Sequence, residues 1–450
     1  MIQLKITDNH SGKDFSEDLP EISEREHAFT DLESIANKNI TSLCKENPNL
    51  LIFPHSLNVY NDYIGEQNIL NVDNGKITTS NIMGFVGRNQ TRLHISSRFY
   101  PRKNDFFLHY MLQKVFSINM FDLKIGKSED RIWDFLLYLF PYYVNRALSQ
   151  GLYKEYKKNQ YNDANIKGVV NINRHINSNI PFNGKIAYSA REFDHNNKIT
   201  QLIRHTIEHI KKHPFGKGIL ENSSDTQLNV QAILAATPDY NKRERQKIMQ
   251  KNIRPLNHPW FYKYVDLQKI CLQILRHETL SIGEEKDEIY GLLFDGAWLW
   301  EEYLNTFLKN MNFMHPRNKE GKDRIPLFYK PKRHNEYRYP DFYNKLCVID
   351  AKYKSGNSYK EDLNQIICYM YIMKLPLGAF LYPSRETMKL DNLGKLNGYG
   401  GEVYQLFLPI SQEEDCFSSF CKNMQRTESL FTDKLHPLIQ QAQVSNADIC

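Results

Sequence analysis

The first part of the chain alternates between apolar and polar residues over short stretches that end at turn signals. Residues 71–79 alternate around Asp73-Asn74-Gly75, and Thr91–Ser96 reads Thr-Arg-Leu-His-Ile-Ser. Successive side chains of a strand point to opposite faces, so a period of two indicates strands with one buried face. Asn, Asp and Gly between such stretches are typical of turns. The pattern predicts a β-rich N-terminal domain over residues 1–125.

The middle of the chain has a helical pattern instead. From Arg131 onward, apolar residues recur at intervals of three and four, which is the spacing of one face of an α-helix. The positions that carry the pattern are Trp133, Leu136, Leu137, Phe140, Ile203, Ile207, Ile210 and the stretch from Val265 to Ile274. We predict a helical region over residues 126–285. A loop at residues 162–183, rich in Asn and Gly, and a basic stretch at residues 241–247 should interrupt it.

The last third, residues 286–450, alternates between the two patterns. It predicts a helix from about Asp287 to Leu308, two short strands, a helix from about Tyr359 to Met373, and an apolar strand from Gly378 to Tyr382. Helices that alternate with strands indicate a sheet with helices on its faces. The fold class that we expect is therefore α+β and multidomain, with a β-rich N-terminal domain, a helical middle and a C-terminal α/β domain.

Candidate chemistry lies on the two short strands of this α/β domain. Residues 338–353 predict a hairpin with a tight turn at Asn344-Lys345. Because side chains alternate along a strand, Asp350 and Lys352 should share one face. Asp341 on the partner strand can approach Asp350 across the hairpin. The sequence therefore predicts two carboxylates and a lysine at one place.

Two carboxylates and a neighbouring lysine suit the hydrolysis of a phosphodiester. Asp341 and Asp350 can hold Mg²⁺, which prefers hard oxygen ligands and keeps several waters. The metal polarises the phosphate and helps to generate hydroxide, while a cation such as Lys352 orients water or stabilises charge in the transition state. We therefore predict a Mg²⁺-dependent nuclease site at these residues.

The bare pattern of an acidic residue, any residue and lysine arises by chance in a chain this rich in charge. Other triplets of this kind begin at Asp122, Glu155, Glu284 and Glu320. None of them follows a Pro-Asp strand across a tight turn, so only the context of Asp350 favours a site.

Two flanking helices add to this context. Glu301 and Glu302 lie on the preceding helix, beside large apolar residues. Gln365 and Tyr369 are four residues apart on the following helix and so share a face. Taken singly, an acidic pair is typical of a solvated helix face, and Gln365 with Tyr369 is typical of packing. Their order around the hairpin is what supports a site.

Together these features resemble the PD-(D/E)xK nuclease superfamily. The matching residues are Pro340-Asp341, Asp350-Ala351-Lys352, the upstream Glu301, and the downstream Gln365 and Tyr369. More narrowly, most of the chain resembles the McrC nuclease subunits of McrBC-type restriction systems, LlaJI-like systems included. Looser matches outside the nuclease motifs are residues 84–98, 166–169 and 192–198.

The resemblance implies a C-terminal PD-(D/E)xK endonuclease domain over residues 286–450 and a role for each matching residue. The residues are Asp341, Asp350 and Glu301 as ligands of Mg²⁺, Lys352 as the catalytic cation, and Gln365 and Tyr369 as supports of the substrate strand. It also implies double-stranded DNA, methylated or not, as substrate, and a McrB-like AAA+ GTPase partner that docks on the N-terminal domain. The partner would bind GTP, since this chain has no GxxxxGK[ST] phosphate loop.

Two other functions remain open at this stage. One alternative is a catalytically silent scaffold that activates the partner GTPase. The other is a stand-alone repair nuclease. Loss of the aspartates or the lysine would have indicated the scaffold, and all are present. The resemblance of the N-terminal part to McrC-like subunits argues against the repair nuclease.

Composition limits the class of protein. With 41% hydrophobic and 12% aromatic residues among 450, the chain can bury large cores. We see no apolar stretch near the roughly 18 residues of a membrane span and no secretory signal pattern, so we expect a cytoplasmic protein. Seven scattered cysteines without a CxxC pair indicate reduced thiols. A formal net charge of +6 permits nucleic acid as a partner without demonstrating it.

Two further motifs have simpler explanations. His205 to His209 fits the HxxEH pattern of inverted zinc peptidases, with His213 one turn further. It lies on a Lys-rich helical face, so we expect a solvated helix. The basic residues 242–251, followed by aromatic residues at 260–262, fit contact with a DNA backbone. A solvated helix end beside a packed aromatic cluster explains them more simply.

Overall fold

The computed structural model describes most of the chain, which forms two compact units. The first unit combines Met1–Phe121 with Glu285–Cys450, and the second is Asp122–Glu284. The described residues are 2–16, 18–19, 21–47, 50–54, 63–102, 104–116, 130–213, 216–280, 289–316, 323–333, 336–356, 360–397 and 400–447.

Helices and strands are mixed throughout, which confirms the expectation of a multidomain chain with both. The strands are β1 (Ile2–Thr7), β2 (Leu50–Phe53), β3 (Leu70–Asp73), β4 (Lys76–Thr79), β5 (Ile82–Arg88), β6 (Thr91–Ser96), β7 (Glu155–Asp163), β8 (Val169–Val170), β9 (Ile186–Asp194), β10 (Ile289–Asp295), β11 (Ile325–Pro326), β12 (Tyr337–Arg338), β13 (Phe342–Tyr343), β14 (Cys347–Ala351), β15 (Leu377–Ser384), β16 (Lys389–Lys395) and β17 (Glu402–Pro409). The α-helices are α1 (Ile22–Glu33), α2 (Ile40–Glu46), α3 (Phe106–Phe116), α4 (Asp130–Leu148), α5 (Ile172–Asn179), α6 (Lys198–Ile210), α7 (Gly216–Leu220), α8 (Ser224–Ala236), α9 (Arg245–Lys251), α10 (Tyr264–Leu280), α11 (Gly296–Leu308), α12 (Lys360–Met373) and α13 (Phe417–Ala447).

A five-stranded sheet in the first unit joins the N-terminal segment to the segment after residue 285. Its order is β1-β6-β5-β10-β2, with β10 antiparallel to β5 and parallel to β2. The helix predicted from about Asp287 is therefore wrong over residues 289–295, and Asp287 itself lies outside the described residues. The run Ile-Tyr-Gly-Leu-Leu-Phe is apolar without a period, so its burial between two strands decides its conformation. A Cβ on Gly291 would meet the backbone oxygen of Phe85 at 2.6 Å, so the two backbones pack closely there.

Two predicted features of the N-terminal segment are present. β3 and β4 pair as an antiparallel hairpin, and Asn74 and Gly75 at its turn have φ values of 48° and 73°, the left-handed values that a tight hairpin turn requires. β6 covers the predicted residues Thr91–Ser96. The segment also contains α1, α2 and α3, which the alternating pattern did not indicate. Leu32 and Leu43, on the first two of these helices, are buried in the core of this segment.

The second unit is mainly helical, as its apolar period predicted, but it also contains a three-stranded sheet of order β7-β9-β8, which the sequence pattern did not indicate. On α6, Ile203, Ile207 and Ile210 are all fully buried. The loop predicted at residues 162–183 is wrong, because β8 and α5 lie within it. The side chain of Asn171 accepts a hydrogen bond from the backbone N–H of residue 174 (3.1 Å) and so begins α5. An Asn-rich stretch favours a helix start as well as a loop.

His205 on α6 is not solvated. Only 3% of its surface is exposed, and its ring centroid lies 4.7 Å from that of Tyr240. Burial lowers the pKa of His205 to about 4, so the imidazole is neutral at physiological pH. The prediction of a solvated helix is therefore wrong for this residue.

The basic stretch at residues 241–247 interrupts the helical pattern as predicted. Lys242–Glu244 form a 3₁₀ turn, and α9 follows directly. Of the aromatic residues further on, Trp260 and Tyr262 are exposed, whereas Phe261 is buried with its ring centroid 5.1 Å from that of Tyr153. The packed aromatic cluster is thus centred on Phe261.

Asn197 determines where α6 begins. Its side chain accepts hydrogen bonds from the backbone N–H groups of Ile199 (3.0 Å) and Thr200 (3.2 Å), and the Thr200 hydroxyl accepts one from the backbone N–H of Asn197 (3.1 Å). We expect Asn197→Ala to lower the free energy of unfolding by about 2 kcal/mol, since removal of an N-cap side chain typically costs this much at a buried site. Urea denaturation measures the change. Asn197→Ser should restore most of the loss, and equal stability of all three proteins would contradict the role.

A second five-stranded sheet in the first unit has the order β13-β14-β15-β17-β16. β14, β15 and β17 run parallel to one another, whereas β13 and β16 are antiparallel to their neighbours. The predicted order of helix, strand, strand, helix and strand is present as α11, β13, β14, α12 and β15, but a separate pair of two-residue strands, β11 and β12, lies between α11 and β13 and was not predicted. β16, β17 and α13 follow, and the sequence pattern did not indicate them. Val348, Ile366 and Phe380 belong to a core that this sheet shares with α12.

Two expectations from composition concern membrane-spanning helices and cysteines. None of the helices that the structure describes is long and apolar enough to cross a membrane. The free cysteines are Cys44, Cys271, Cys347, Cys368, Cys416 and Cys421, and Cys450 lies outside the described residues. No disulfide joins the cysteines that the structure describes.

Candidate active site

The predicted turn at Asn344-Lys345 is present and joins β13 to β14. The side chain of Asn344 accepts hydrogen bonds from the backbone N–H groups of Leu346 and Cys347, both at 2.9 Å. Asn side chains commonly bond to backbone two or three residues ahead in this way. The turn sets the register of the hairpin, because it determines which residues of the two strands face each other.

This register places Asp341 and Asp350 beside each other. Phe342 pairs with Ile349, so residues 341 and 350 are the next opposed positions. The backbone N–H of Ala351 donates to Asp341 Oδ2 (2.8 Å). Asp350 is only 2% exposed. The approach of two carboxylates that the sequence predicted is therefore present.

Lys352 follows β14, and its backbone N–H donates to the carbonyl of Leu381 on β15 (2.9 Å). Its Nζ lies 2.6 Å from Asp350 Oδ2 and 3.3 Å from Asp362 Oδ1. It also donates to Gln365 Oε1 at 3.4 Å. Asp350 and Lys352 thus meet on one face, as the alternation predicted. Asp362 was not predicted, although its place three residues before Gln365 puts both on one helix face.

Gln365 and Tyr369 connect α12 to the hairpin. Gln365 Nε2 donates to Tyr369 Oη (2.6 Å), and this hydroxyl donates to the backbone carbonyl of Tyr339 (3.1 Å). Tyr369 is 2% exposed and belongs to the core beneath the sheet. Gln365 and Tyr369 therefore pack against the sheet and also take part in the site. The chain of hydrogen bonds ends on Lys352 and positions its ammonium group.

Of the two acidic residues on α11, Glu301 faces the aspartates. Burial and then the charge of Asp341 hold the pKa of Glu301 well above its usual value, with Asp350 also contributing. Glu302 faces His315 instead, with 3.7 Å between Oε1 and Nε2. His315 Nδ1 lies 2.8 Å from the backbone oxygen of Asp341. His315 was not predicted, because a single histidine after a helix carries no periodic signal.

Burial and like charge dominate the electrostatics of the site. The pKa of Asp341 is raised to about 7. Burial is the largest cause, and the charge of Asp350 and a hydrogen bond between the two carboxyl groups act in the same direction, against the lowering effects of Lys352 and the backbone N–H of Ala351. Burial acts to lower the pKa of Lys352, but the surrounding carboxylates, Asp350 above all, raise it beyond its usual value. The lysine is therefore charged, and its ammonium is paired with two carboxylates, those of Asp350 and Asp362.

The donor set of the site suits a hard divalent cation. Asp341, Asp350 and Glu301 offer carboxylate oxygens, the ligands that Mg²⁺ prefers. A bound cation would relieve the repulsion that raises the pKa values of Asp341 and Glu301. Among the residues that the structure describes, no three His, Cys, Asp or Glu side chains already form a metal site.

A charged lysine among buried carboxylates, beside the ends of parallel strands, has the residue types that a metal-dependent hydrolase needs. The family model described as McrBC 5-methylcytosine restriction system component matches residues 77–383, which is more than half of the chain. The chain belongs to this family, and it is a component of a restriction system. The family match confirms the predicted resemblance to McrC-like subunits. No curated protein matches the sequence.

Two solved structures from Thermococcus gammatolerans are similar to the chain. One is a refined half-complex from a tetradecameric assembly of McrB AAA+ hexamers with bound McrC; the match has 13% identity and a TM-score of 0.43, and covers 94% of this chain and 99% of that chain. The other is a cryo-EM structure of the McrBC complex, with 13% identity and a TM-score of 0.34, covering 68% of this chain and 87% of that one. Both TM-scores are low, so the family assignment depends on the family model.

Proposed function

We propose that this chain is the DNA-cleaving subunit of an McrBC-type restriction system and that it hydrolyses phosphodiesters of double-stranded DNA with Mg²⁺. The position of Lys352 supports this most directly. Its ammonium lies 2.6 Å from Asp350 and 3.3 Å from Asp362, while Asp341 adjoins Asp350 across the hairpin. Carboxylates that can hold a metal ion beside a cation that can stabilise phosphate charge are the groups that metal-dependent phosphodiester hydrolysis uses. The PD-(D/E)xK arrangement inferred from the sequence is of this kind.

Each residue of the site then has a distinct task. Asp341, Asp350 and Glu301 would hold Mg²⁺, which when bound polarises the phosphate and lowers the pKa of a coordinated water. Lys352 orients the attacking water or stabilises charge on the phosphate oxygens. Gln365 holds the lysine in place, and Tyr369 anchors Gln365 to the strand that carries Asp341.

The partner in this proposal is a McrB-like AAA+ GTPase, which the resemblance to McrC-like subunits implies. GTP belongs to that partner, because the sequence of this chain has no GxxxxGK[ST] phosphate loop. The family description names 5-methylcytosine, which makes methylated DNA the first substrate to test.

Two other functions make different predictions. A scaffold that only activates the GTPase would stimulate GTP hydrolysis without cutting DNA. A stand-alone repair nuclease would cut DNA without partner or GTP. The buried Asp350 and its lysine disfavour the scaffold, since an unused buried ion pair is often no more stable than apolar residues of similar size.

Cleavage assays with and without metal test the proposal. The full chain, its GTPase partner and GTP are incubated with methylated or unmethylated plasmid DNA in Mg²⁺ or EDTA. We expect double-strand cleavage in Mg²⁺ only, and none by Asp350→Asn in either condition. Asp433→Asn is the matched control, since Asp433 is an exposed aspartate on α13, and it should cleave like the native protein.

GTP hydrolysis by the partner is measured in the same reactions. Cleavage by Asp350→Asn at the native rate would show that the site is structural. Stimulated GTP hydrolysis without any cleavage by the native protein would indicate the scaffold. Cleavage that needs neither partner nor GTP would indicate the stand-alone nuclease.

A further inference from the structure

A cleft of about 710 Å³ opens in the first unit beside the candidate active site. Its walls include Lys354, which follows β14, Ser384 at the end of β15, and Phe407 near the end of β17. These three strands are parallel, so the cleft lies at their carboxyl ends. Ligands of open α/β sheets commonly bind at this edge, and the volume is in the usual range for a ligand site.

Lys354, in the wall of the cleft, is linked to the candidate active site through Asp362. Lys352 and Lys354 are two residues apart and follow the end of β14. Asp362 binds both of them, with distances of 3.3 Å to Lys352 Nζ and 2.5 Å to Lys354 Nζ. A polymer bound at the candidate active site would therefore pass from Lys352 into the cleft.

Cations outnumber carboxylates along the walls of the cleft. The charged lining residues are Arg98, Lys354, Arg385, Lys389, Glu386 and Asp391. Lys389 is paired with the exposed Glu386 at 2.7 Å. Arg98 Nη1 lies 2.6 Å from Oδ2 of the buried Asp8, and this ion pair stabilises the fold.

Arg385 is the cation of the cleft that is most available to a ligand. It is exposed, and its guanidinium donates to the backbone carbonyl of Arg98. Among the ion pairs of the described residues, none joins Arg385 to a carboxylate. The bond to Arg98 orients the side chain while its charge remains uncompensated by a neighbouring acid.

We propose that this cleft binds the phosphodiester backbone of the DNA strand next to the bond that is cleaved, with Arg385 as its main phosphate ligand. The proposal rests on the nuclease function proposed above and extends it. Arginine matches the geometry of a phosphate with two parallel hydrogen bonds. Lys354 and Lys389 also line the cleft, but each is paired with a carboxylate, Asp362 and Glu386 respectively. A free nucleotide has the same phosphate chemistry, so the test includes GTP.

Equilibrium binding of a short duplex to the full chain in EDTA tests the cleft without any cleavage. We expect Arg385→Ala to weaken binding about 10-fold and to reduce the slope of log K against log salt by about one, the effect of losing one phosphate contact. Arg426→Ala is the matched control. Arg426 is exposed on α13 and does not line the cleft, so this variant should bind like the native protein. Arg385→Lys should keep most of the salt dependence.

Each outcome decides the proposal. Native affinity and slope in Arg385→Ala would overturn it, and so would the absence of DNA binding. Binding of GTP that requires Arg385 and competes with the duplex would assign the cleft to a nucleotide instead. Cleavage in Mg²⁺ with the partner and GTP is measured in parallel. If the native protein cleaves DNA and Arg385→Ala binds DNA normally, only the proposed role of the cleft is contradicted. If the native protein binds DNA through Arg385 but does not cleave it, only the proposed nuclease function is contradicted.

Discussion

Replacing Lys352 by methionine should reduce the rate of DNA cleavage by about 10³-fold or more, while binding of the partner GTPase persists. Groups aimed at the charge that develops in a transition state typically contribute about 10²- to 10³-fold each. Here the substitution also removes the cation that offsets Asp350 and Asp362. Methionine retains an unbranched side chain that packs readily. Single-turnover cleavage in Mg²⁺ with partner and GTP measures the loss, and Lys422→Met, an exposed lysine on α13, is the control.

The same substitution should lower the free energy of unfolding by about 3 kcal/mol, because removal of one partner of a buried ion pair leaves the other uncompensated. Asp350 is 2% exposed and loses the Nζ that lies 2.6 Å away. The double variant Asp350→Asn with Lys352→Met removes both charges and should regain most of this stability. It should nevertheless remain inactive. If the double variant regained cleavage together with stability, the lysine would have a structural role only.

Replacing Glu428 by leucine should destabilise the protein by about 3 to 5 kcal/mol, the usual cost of breaking a buried charged network. Glu428 lies on α13 and is 6% exposed. Its Oε1 accepts hydrogen bonds from the hydroxyls of Tyr110 (2.7 Å) and Tyr303 (2.8 Å), and its Oε2 accepts one from Lys114 Nζ (2.8 Å). Leucine would leave both buried hydroxyls without this acceptor. Urea denaturation of the full chain measures the loss.

Glu428→Gln separates the two halves of this network. Glutamine keeps an oxygen for the two tyrosine hydroxyls and loses only the ion pair with Lys114, whose side chain is 25% exposed. We expect a loss of about 1 kcal/mol, as is typical of a partly exposed pair. Equal destabilisation by leucine and glutamine would show that the ion pair, rather than the tyrosine hydroxyls, accounts for the effect.

The central part of the candidate site was predictable because its geometry is local. Asp341 directly precedes β13 and Asp350 lies on the adjacent β14, and the register of these two strands depends on a turn of a few residues around Asn344. Alternation along β14 is sufficient to bring Asp350 and Lys352 together. A spacing of four on one helix is likewise sufficient to align Gln365 with Tyr369, which hydrogen-bond as that spacing allows.

The parts that were not predicted depend on segments far apart in sequence. Tyr353 shares a hydrogen bond with Ser97 (2.7 Å), 256 residues away, and its backbone carbonyl accepts from Arg98. No local period indicates such a contact. Residues 289–295 were assigned to a helix because an apolar run without a period is compatible with either state. Only the neighbouring strands β5 and β2 determine that it is extended.

The place of β10 between β5 and β2 has a consequence for synthesis on the ribosome. The sheet that Met1–Phe121 begins lacks a central strand until residue 295 has emerged, after all of Asp122–Glu284. At about 5 to 20 residues per second this delay is on the order of ten to thirty seconds. During that time β5 presents an unpaired backbone edge, which is a hazard for aggregation. The second unit, continuous in sequence, is therefore expected to fold before the first. α11 begins at the residue after β10. Glu301 and the rest of the candidate site are therefore synthesised only after the last strand of this sheet.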